Sequence, residues 1–525
     1  MNAVESFIKY KADTNMQCGS YFIDLPKLKE NEQYRFHFDA TKCIGCHCCE
    51  VACNEQNNNP FDIKWRRVGE VEGGVFPNVS LIFLSMSCNH CIDPWCLKGC
   101  PTESYIKLDN GIVIHDDEAC IGCQYCTWNC PYDVPVFHEE RHIVTKCHMC
   151  YERIENNQTP ACVQACPEGA IEIEAVNKDE WLKGAIDKEG NAPGLIDARV
   201  TNSTTRFTLP ESMPKNLTPA DHALIKPAHK EIPLVFMTLL TQIGFIGFAA
   251  IFLGDLANLF FNLPSASFSM SFVIFSLLAV GLPLSALHLG RPFKALSAMK
   301  NIKSSYLSRE ALALGVFAFF TMITALFYYF KIGGFFRIFV EMAGVLIGAY
   351  GIYAQSMIYR IDAKPTWNRK TTTYRFFSAG YIGVMILAFI ALLENEEKVA
   401  NILLSLAILL GSIQIYLFFE SQRFYDLLRE DNKFFYQIKK AKELLENDFK
   451  KLYLFRKISL FAGAVFLPLF TVIAVNAGSF SFGLFLASLA VIVSFLSEFA
   501  GRVLFYATAV KTSMPGNFFA GNQRG

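Results

Sequence analysis

All 18 cysteines of this 525-residue chain lie between Cys18 and Cys166, and the 359 residues that follow contain none. Their spacing leaves few folds open. Cys43, Cys46, Cys49 and Cys53 read C-x2-C-x2-C-x3-C, and Cys120, Cys123, Cys126 and Cys130 repeat that pattern. Cys88, Cys91, Cys96 and Cys100 give C-x2-C-x4-C-x3-C. Cys147 and Cys150 form a close pair, and Cys162 and Cys166 a second pair eleven residues further on. Sixteen cysteines thus form four groups of four, with Cys18 and Cys48 left over.

A tight C-x2-C-x2-C loop wraps three thiolates around one iron–sulfur cluster, and the fourth cysteine points away to a neighbouring cluster. Pro101, Pro131 and Pro167 turn the chain after the fourth cysteine; Asn54 takes that place in the first group. Groups must then work in pairs, which predicts four [4Fe–4S] clusters and an α+β ferredoxin-like domain of the tandem bacterial-ferredoxin kind. Two C-x2-C pairs could hold structural zinc, but a zinc ribbon needs no third cysteine followed by x3-C-P. Disulfides are not expected, because MNAVESFIKYKADTNMQ carries no apolar export core. The repeat at Cys120–Cys130 sets the register of CIGCHCCEVAC, so Cys48 is expected to be the spare thiol.

The remainder is apolar. Eight stretches from Pro233 onward are long enough to cross a bilayer: Leu234–Leu253, Met270–Leu289, Ala311–Phe330, Ile338–Ile358, Phe376–Leu393, Val399–Phe419, Ile458–Val475 and Phe482–Phe499. The domains expected are a cluster domain over residues 1–175, an extended proline-punctuated linker over 176–232, and an all-α membrane domain of eight helices over 233–525. The 48 basic and 48 acidic residues balance, which argues against a nucleic-acid partner held by a positive field. The basic residues are not evenly placed. Connections on the cluster-domain side carry 5, 5, 10 and 3 of them, against 0, 2, 1 and 0 on the other side. The positive-inside rule then puts the clusters in the cytoplasm.

Ionisable residues near the spans offer two readings each. His288 and Glu310 flank the loop after the second span and could accept the two protons of a quinol; they could equally cap helices. Glu498 and Arg502, four residues apart, suggest an intrahelical ion pair. Asp255 and Glu341 are expected to reach interfacial water. The stretch from Arg423 to Lys457 suggests a charged helical hairpin or surface helix.

The motifs CIGCHCCEVAC, SCNHCIDPWC, CIGCQYCTWNCPYDVP and TKCHMCYERI with PACVQACP resemble the four-cluster electron-transfer subunit of dimethyl sulfoxide reductase-type molybdopterin oxidoreductases. LHLGRP, LSREALALG, YRIDAKPTW and EFAGRVLFY resemble the eight-span membrane anchor of the same enzymes. The resemblance implies a fusion of two subunits. It also implies the pairing. One cluster would lie on Cys43, Cys46, Cys49 and Cys166; a second on Cys53, Cys147, Cys150 and Cys162. A third would lie on Cys88, Cys91, Cys96 and Cys130, and a fourth on Cys100, Cys120, Cys123 and Cys126. Related nitrate reductases carry Trp where this chain has Cys123 and hold three irons there, so four irons are expected here. His288 and Glu310 match a menaquinol site. The partner implied is a separate molybdopterin catalytic subunit, and the chain would be the electron wire and anchor of a quinol-dependent oxidoreductase. Well-known members place their clusters outside the cytoplasm, a departure from the charge pattern here. If the pattern holds, quinol protons are released on the side where the acceptor is reduced. Dimethyl sulfoxide, nitrate and sulfur oxyanions then all come into question as acceptors. The same wire could run backwards, from a dehydrogenase such as one for formate into quinone. A redox-driven ion pump would need a polar path through span centres that are nearly free of charge.

Overall fold

The computed structural model describes residues 25–214, 216–221, 227–261, 265–430 and 432–515. Cys18 and residues 222–226 of the expected linker lie outside the described residues.

The cysteine-bearing region is built on short strands: β1 (Glu32–Asp39), β2 (Arg67–Val75), β3 (Asn78–Met86), β4 (Tyr105–Lys107), β5 (Val113–His115), β6 (Val136–His138), β7 (Ile143–Thr145), β8 (Ile171–Asn177), β9 (Arg206–Thr208) and β10 (Thr218–Pro219). In β1, Phe36 and Phe38 turn inward, and β8 pairs with it antiparallel, setting Phe36 opposite Ile173 and Phe38 opposite Ile171. This pairing lays the segment before the first cysteine group beside the segment after the last. It brings Cys166 back to Cys43, 123 residues earlier, around one cavity. The two CIGC loops share a backbone form. Gly45 and Gly122 both have φ +68°, and His47 and Gln124 after them are also left-handed. A Cβ at Gly45 would stand 2.6 Å from the Phe83 ring, and one at Gly122 would stand 2.4 Å from the His142 carbonyl oxygen. Only glycine fits either turn.

The expected extended linker over 176–232 is corrected in its first two-thirds. β8 runs across residue 176, β9 adds to β1 in parallel, and β10 pairs with β2. Trp181 is buried, and its indole N–H donates to the Ser203 carbonyl at 2.8 Å. Strand pairing satisfies backbone groups that a free connector would leave to water, and it buries Val176, Ile186 and Ala198 with Trp181.

Eight helices long and apolar enough to cross a membrane follow among the described residues: α1 (Ile232–Phe261), α2 (Phe268–His288), α3 (Tyr306–Tyr329), α4 (Phe335–Tyr359), α5 (Lys370–Leu393), α6 (Glu397–Asp426), α7 (Lys450–Asn476) and α8 (Phe480–Ala507). α1 to α4 pack as one group and α5 to α8 as another, and they meet chiefly where α1 crosses α5, with α4 against the start of α5 and α8 against α1. In α1 and α5, 72% and 78% of the apolar window is buried, against 28–44% in the others, so these two helices form the centre. They cross at small residues: a Cβ on Gly383 would stand 2.2 Å from the Ile243 carbonyl oxygen and 2.8 Å from the Gly247 nitrogen. The outer helices present exposed Phe319, Leu346, Leu409 and Ile492, as lipid-facing surfaces do.

Two charge readings are corrected. Asp255 and Glu341 are fully buried rather than wet. Arg337 holds Asp255 at 2.8 Å and lies 3.6 Å from Glu341, and Tyr328 donates to Asp255 at 2.5 Å. A carboxylate this deep is tolerable only when paired. Glu498 does not pair with Arg502. It binds Arg456 of α7 at 2.8 Å and accepts from Gln414 of α6. Arg502 donates instead to Gln242 at 2.7 Å and lies over the Phe376 ring. The connection after α6 does contain a surface helix, Phe435–Glu443, whose Ala441 packs with Leu444 and Val510.

Candidate iron–sulfur and quinol site

Sixteen thiols gather in four sets. Cys43, Cys46, Cys49 and Cys166 line one cavity, Cys53, Cys147, Cys150 and Cys162 a second, and Cys88, Cys91, Cys96 and Cys130 a third. Cys100, Cys120, Cys123 and Cys126 lie within electrostatic reach of one another. Burial pushes the Cys123 thiol up to about 12, with further repulsion from Cys100 and Cys120. Bound iron would hold such buried thiols as thiolates. Cys48 is exposed and lines none of the three cavities.

Donors to sulfur surround these sets, the features that tune a cluster's potential. Backbone N–H groups of Ser104, Gly122, Met149 and Ala170 donate to Cys100, Cys120, Cys147 and Cys166 at 3.2–3.4 Å. Lys146 Nζ stands 3.7 Å from Cys88, and Arg66, fully buried, lies beside Cys49, Cys53, Cys147 and Cys162. The sequence pattern finds ligands but not Arg66, which lies outside the cysteine loops, or Lys146, which sits beside Cys147 but reaches across the fold to Cys88.

The fourth set docks on the membrane domain. The loop between α2 and α3 closes over it. Gly290 N donates to Gly122 O at 3.3 Å, and Arg291 N to Ile121 O at 3.0 Å. Arg291 also reaches the Asp117 and Cys120 carbonyls, and Asn301 Nδ2 donates to Cys100 O at 2.9 Å. From the C-terminal tail, Thr512 donates to Pro131 O at 2.8 Å, and Lys511 pairs with Asp133. Every one of these backbone acceptors lies on or next to a ligand loop, so the two domains share one rigid joint.

At this joint lies a cavity of about 390 Å³, large enough for a small-molecule ring system. His288, Glu231, Lys364, Trp128, Trp367 and Tyr506 are among the residues that line it. His288 Nε2 is 3.3 Å from the Cys123 carbonyl oxygen, and Nδ1 is 2.8 Å from Glu231 Oε2. Burial pushes the Glu231 carboxyl up, but the His229 and His288 hydrogen bonds outweigh it and hold it at about 2. Lys364 is buried, with Nζ 3.7 Å from the Trp367 ring and 4.7 Å from the Trp128 ring. Burial and the nearby Lys511 hold its ammonium well below the usual lysine range, against the pull of Glu231 and Asp133.

Glu310 is not among the residues that line this cavity. It is buried in α3 and accepts from Gln355 at 2.9 Å. Gln355 accepts from Gln242 at 2.8 Å, and Gln242 from Arg502 at 2.7 Å, so one row of hydrogen bonds crosses α8, α1, α4 and α3. Glu310 lies within electrostatic reach of Tyr359 and Tyr506, whose hydroxyls are 2.6 Å apart, and Tyr506 forms part of the cavity wall. Sequence reasoning missed Glu231. Its signal was the HKE triplet set immediately before an apolar span.

The fold and thiol sets define a multi-pass membrane protein with a covalently joined iron–sulfur electron-transfer domain. A family model described as "4Fe-4S dicluster domain" matches residues 79–176, and one described as "DMSO reductase anchor subunit (DmsC)" matches residues 226–508. The protein is 40% identical over 156 residues to the B subunit of the anaerobic dimethyl sulfoxide reductase of Haemophilus influenzae, a match covering 28% of this protein and 76% of that subunit. It is 38% identical over 169 residues to the B subunit of the same enzyme in Escherichia coli, covering 31% and 82%. It is 41% identical over 152 residues to the formate dehydrogenase-O iron-sulfur subunit of Escherichia coli, covering 25% and 50%. The protein belongs to the DMSO reductase anchor-subunit family, with an iron–sulfur domain similar to the reductase B subunits fused ahead of the anchor.

Proposed function

We propose that the chain oxidises menaquinol in the cavity at the domain joint and passes the electrons through four [4Fe–4S] clusters to a separate molybdopterin catalytic subunit. The sixteen cysteines in their four sets are the cluster ligands, and each cluster when bound carries one electron at a time. The observation that carries the reading is His288, which lines the cavity while its Nε2 lies 3.3 Å from the Cys123 carbonyl. A quinol ring there would lie beside the fourth thiol set. His288 and Glu310 take up the two protons, His288 from the cavity and Glu310 from behind the Tyr359–Tyr506 wall. The basic residues of the connections argue for a cytoplasmic cluster domain. The acceptor is then a cytoplasmic oxo compound: dimethyl sulfoxide, nitrate or a sulfur oxyanion.

A second reading runs the wire in reverse, from a dehydrogenase subunit into quinone; the likeness to a formate dehydrogenase iron-sulfur subunit favours it. The test of the site serves both directions. His288→Ala and Glu310→Gln should each stop electron exchange between menaquinol and the clusters, while electron paramagnetic resonance still counts four clusters. Undiminished exchange in both variants overturns the site. The catalytic subunit that co-purifies decides the direction.

A further inference from the structure

The geometry points to a proton exit built from Glu231 and His229, leading from the cavity to the solvent on the cluster-domain side. It rests on the quinol reading above. Glu231 is the last residue before α1, buried, with φ +48°. Its Oε2 takes both imidazoles: His288 Nδ1 at 2.8 Å and His229 Nδ1 at 3.5 Å. No hydrogen bond to Oε1 is made among the described residues, and the side chain lines the cavity. The exposures fall in order. His288 and Glu231 side chains are 9% and 11% exposed, and His229 is 61% exposed. A buried acceptor is thus joined to the surface through one carboxylate.

His229 is set to work in both protonation states. Neutral, its Nδ1 accepts the Glu231 backbone N–H at 3.2 Å. Protonated, the same nitrogen faces the Glu231 carboxylate. The step balances simply. A quinol O–H bond breaks, the proton goes to His288 Nε2, and the His288 Nδ1 proton passes to Glu231 Oε2. The electron pair stays on the quinol oxygen until the electrons enter the iron–sulfur wire. The carboxylate passes its proton to His229, and His229 Nε2 gives one up to water. His288 Nδ1, 2.8 Å from Oε2, stands where it can hand the proton to the carboxylate. The other titratable groups around the cavity that Glu231 lines are Lys364 from the connection between α4 and α5, Tyr506 from α8, and Asp62, Asp133, Glu139 and Lys511. Lys230 faces His229.

The test uses the full chain with its clusters, reconstituted in vesicles. Cluster reduction by a soluble menaquinol analogue is followed optically, and a fluorescent hydroxyquinoline N-oxide reports occupancy of the cavity. His229→Ala should slow reduction about tenfold or more, leave analogue binding unchanged, and recover with imidazole in the buffer. Glu231→Gln should be slow and refractory to imidazole, and Glu231→Asp should lie between it and the parent chain. An unslowed His229→Ala chain, or one that imidazole does not restore, overturns the exit. Because His229 is exposed, that arm does not depend on the Glu231 variants folding. If His288→Ala keeps both analogue binding and the parent rate, the quinol reading fails instead.

Discussion

Gly290 and Gly122 touch backbone to backbone, with the Gly290 N–H donating to Gly122 O at 3.3 Å. Gly122 sits between two cysteines of the fourth set, and Gly290 lies two residues past His288. One contact therefore joins the cluster loop to the histidine of the cavity. A Cβ on Gly290 would stand 2.2 Å from the His142 carbonyl oxygen, a backbone atom with no room to move aside. Gly290→Ala should part the joint. On the proposed quinol reading, menaquinol should then reduce the clusters at least tenfold more slowly, because electron transfer weakens steeply with separation, while dithionite reduces them as before. Comparing the two reductants by stopped-flow absorbance reads this directly.

Cys48→Ser should keep the four proposed clusters, and Cys53→Ser should lose one. Cys48 is exposed on the helix Cys48–Asn57, whereas Cys53 is buried in a cavity with Cys147, Cys150 and Cys162. Iron content and low-temperature electron paramagnetic resonance of the two variants check this.

Arg66 is a buried positive charge between two thiol sets. Its guanidinium is fixed by Ser85 and Ser87 at 3.0–3.2 Å and lies over the Phe36 ring. A fixed cation favours the reduced, more negative cluster. Arg66→Met should lower the potentials of the two sets by roughly 70–100 mV each, the Coulomb energy of a unit charge at about 7–10 Å with an effective dielectric near 20. The third and fourth sets should shift much less. A redox titration that finds all four unchanged would remove Arg66 from the account.

Acid stability should centre on Glu231. Its carboxyl falls from 4.5 to about 2 on folding, so the stabilisation it provides is complete above pH about 4.5 and is lost as pH falls towards 2. His229 is raised from 6.5, chiefly by its hydrogen bond to Glu231, so its share is complete below pH about 6.5 and is lost as pH rises through the raised value. The joint should be firmest between pH about 4.5 and 6.5. Thermal unfolding of the parent chain across pH 3–8 should show that maximum, and Glu231→Gln should flatten it.

The sequence was most legible where local spacing decides the structure. Cysteine spacing specifies loop shape, so the groups are visible without coordinates, and a run of apolar residues is a span whichever neighbour it meets. Span ends were less legible, since α6 continues through polar residues to Asp426, seven beyond the apolar stretch. Partner choice across helices was not legible. Glu498 prefers Arg456, 42 residues away, to Arg502 one turn on, because tertiary packing places the guanidinium of α7 against it. The contact of His288 with Glu231, 57 residues earlier in the chain, was hidden for the same reason.

The crossing of α1 and α5 sets the geometry of the whole membrane domain, because it is the main contact between the two four-helix groups. Gly380 and Gly383 let the backbones meet: a Cβ on Gly380 would stand 2.5 Å from the Gln242 carbonyl oxygen, and one on Gly383 2.2 Å from that of Ile243. Gln242 also carries the hydrogen bonds from Arg502 and to Gln355, so displacing α1 here disturbs the row that ends at Glu310. Gly383→Val should force the helices apart at a cost of about 1–3 kcal/mol or more. It should also break the polar row, where each bond contributes on the order of 0.6 kcal/mol. The expected outcome is a lower unfolding temperature in detergent together, on the proposed quinol reading, with slower menaquinol oxidation. Gly254→Val, on α1 with nothing near its Cβ position, should change neither.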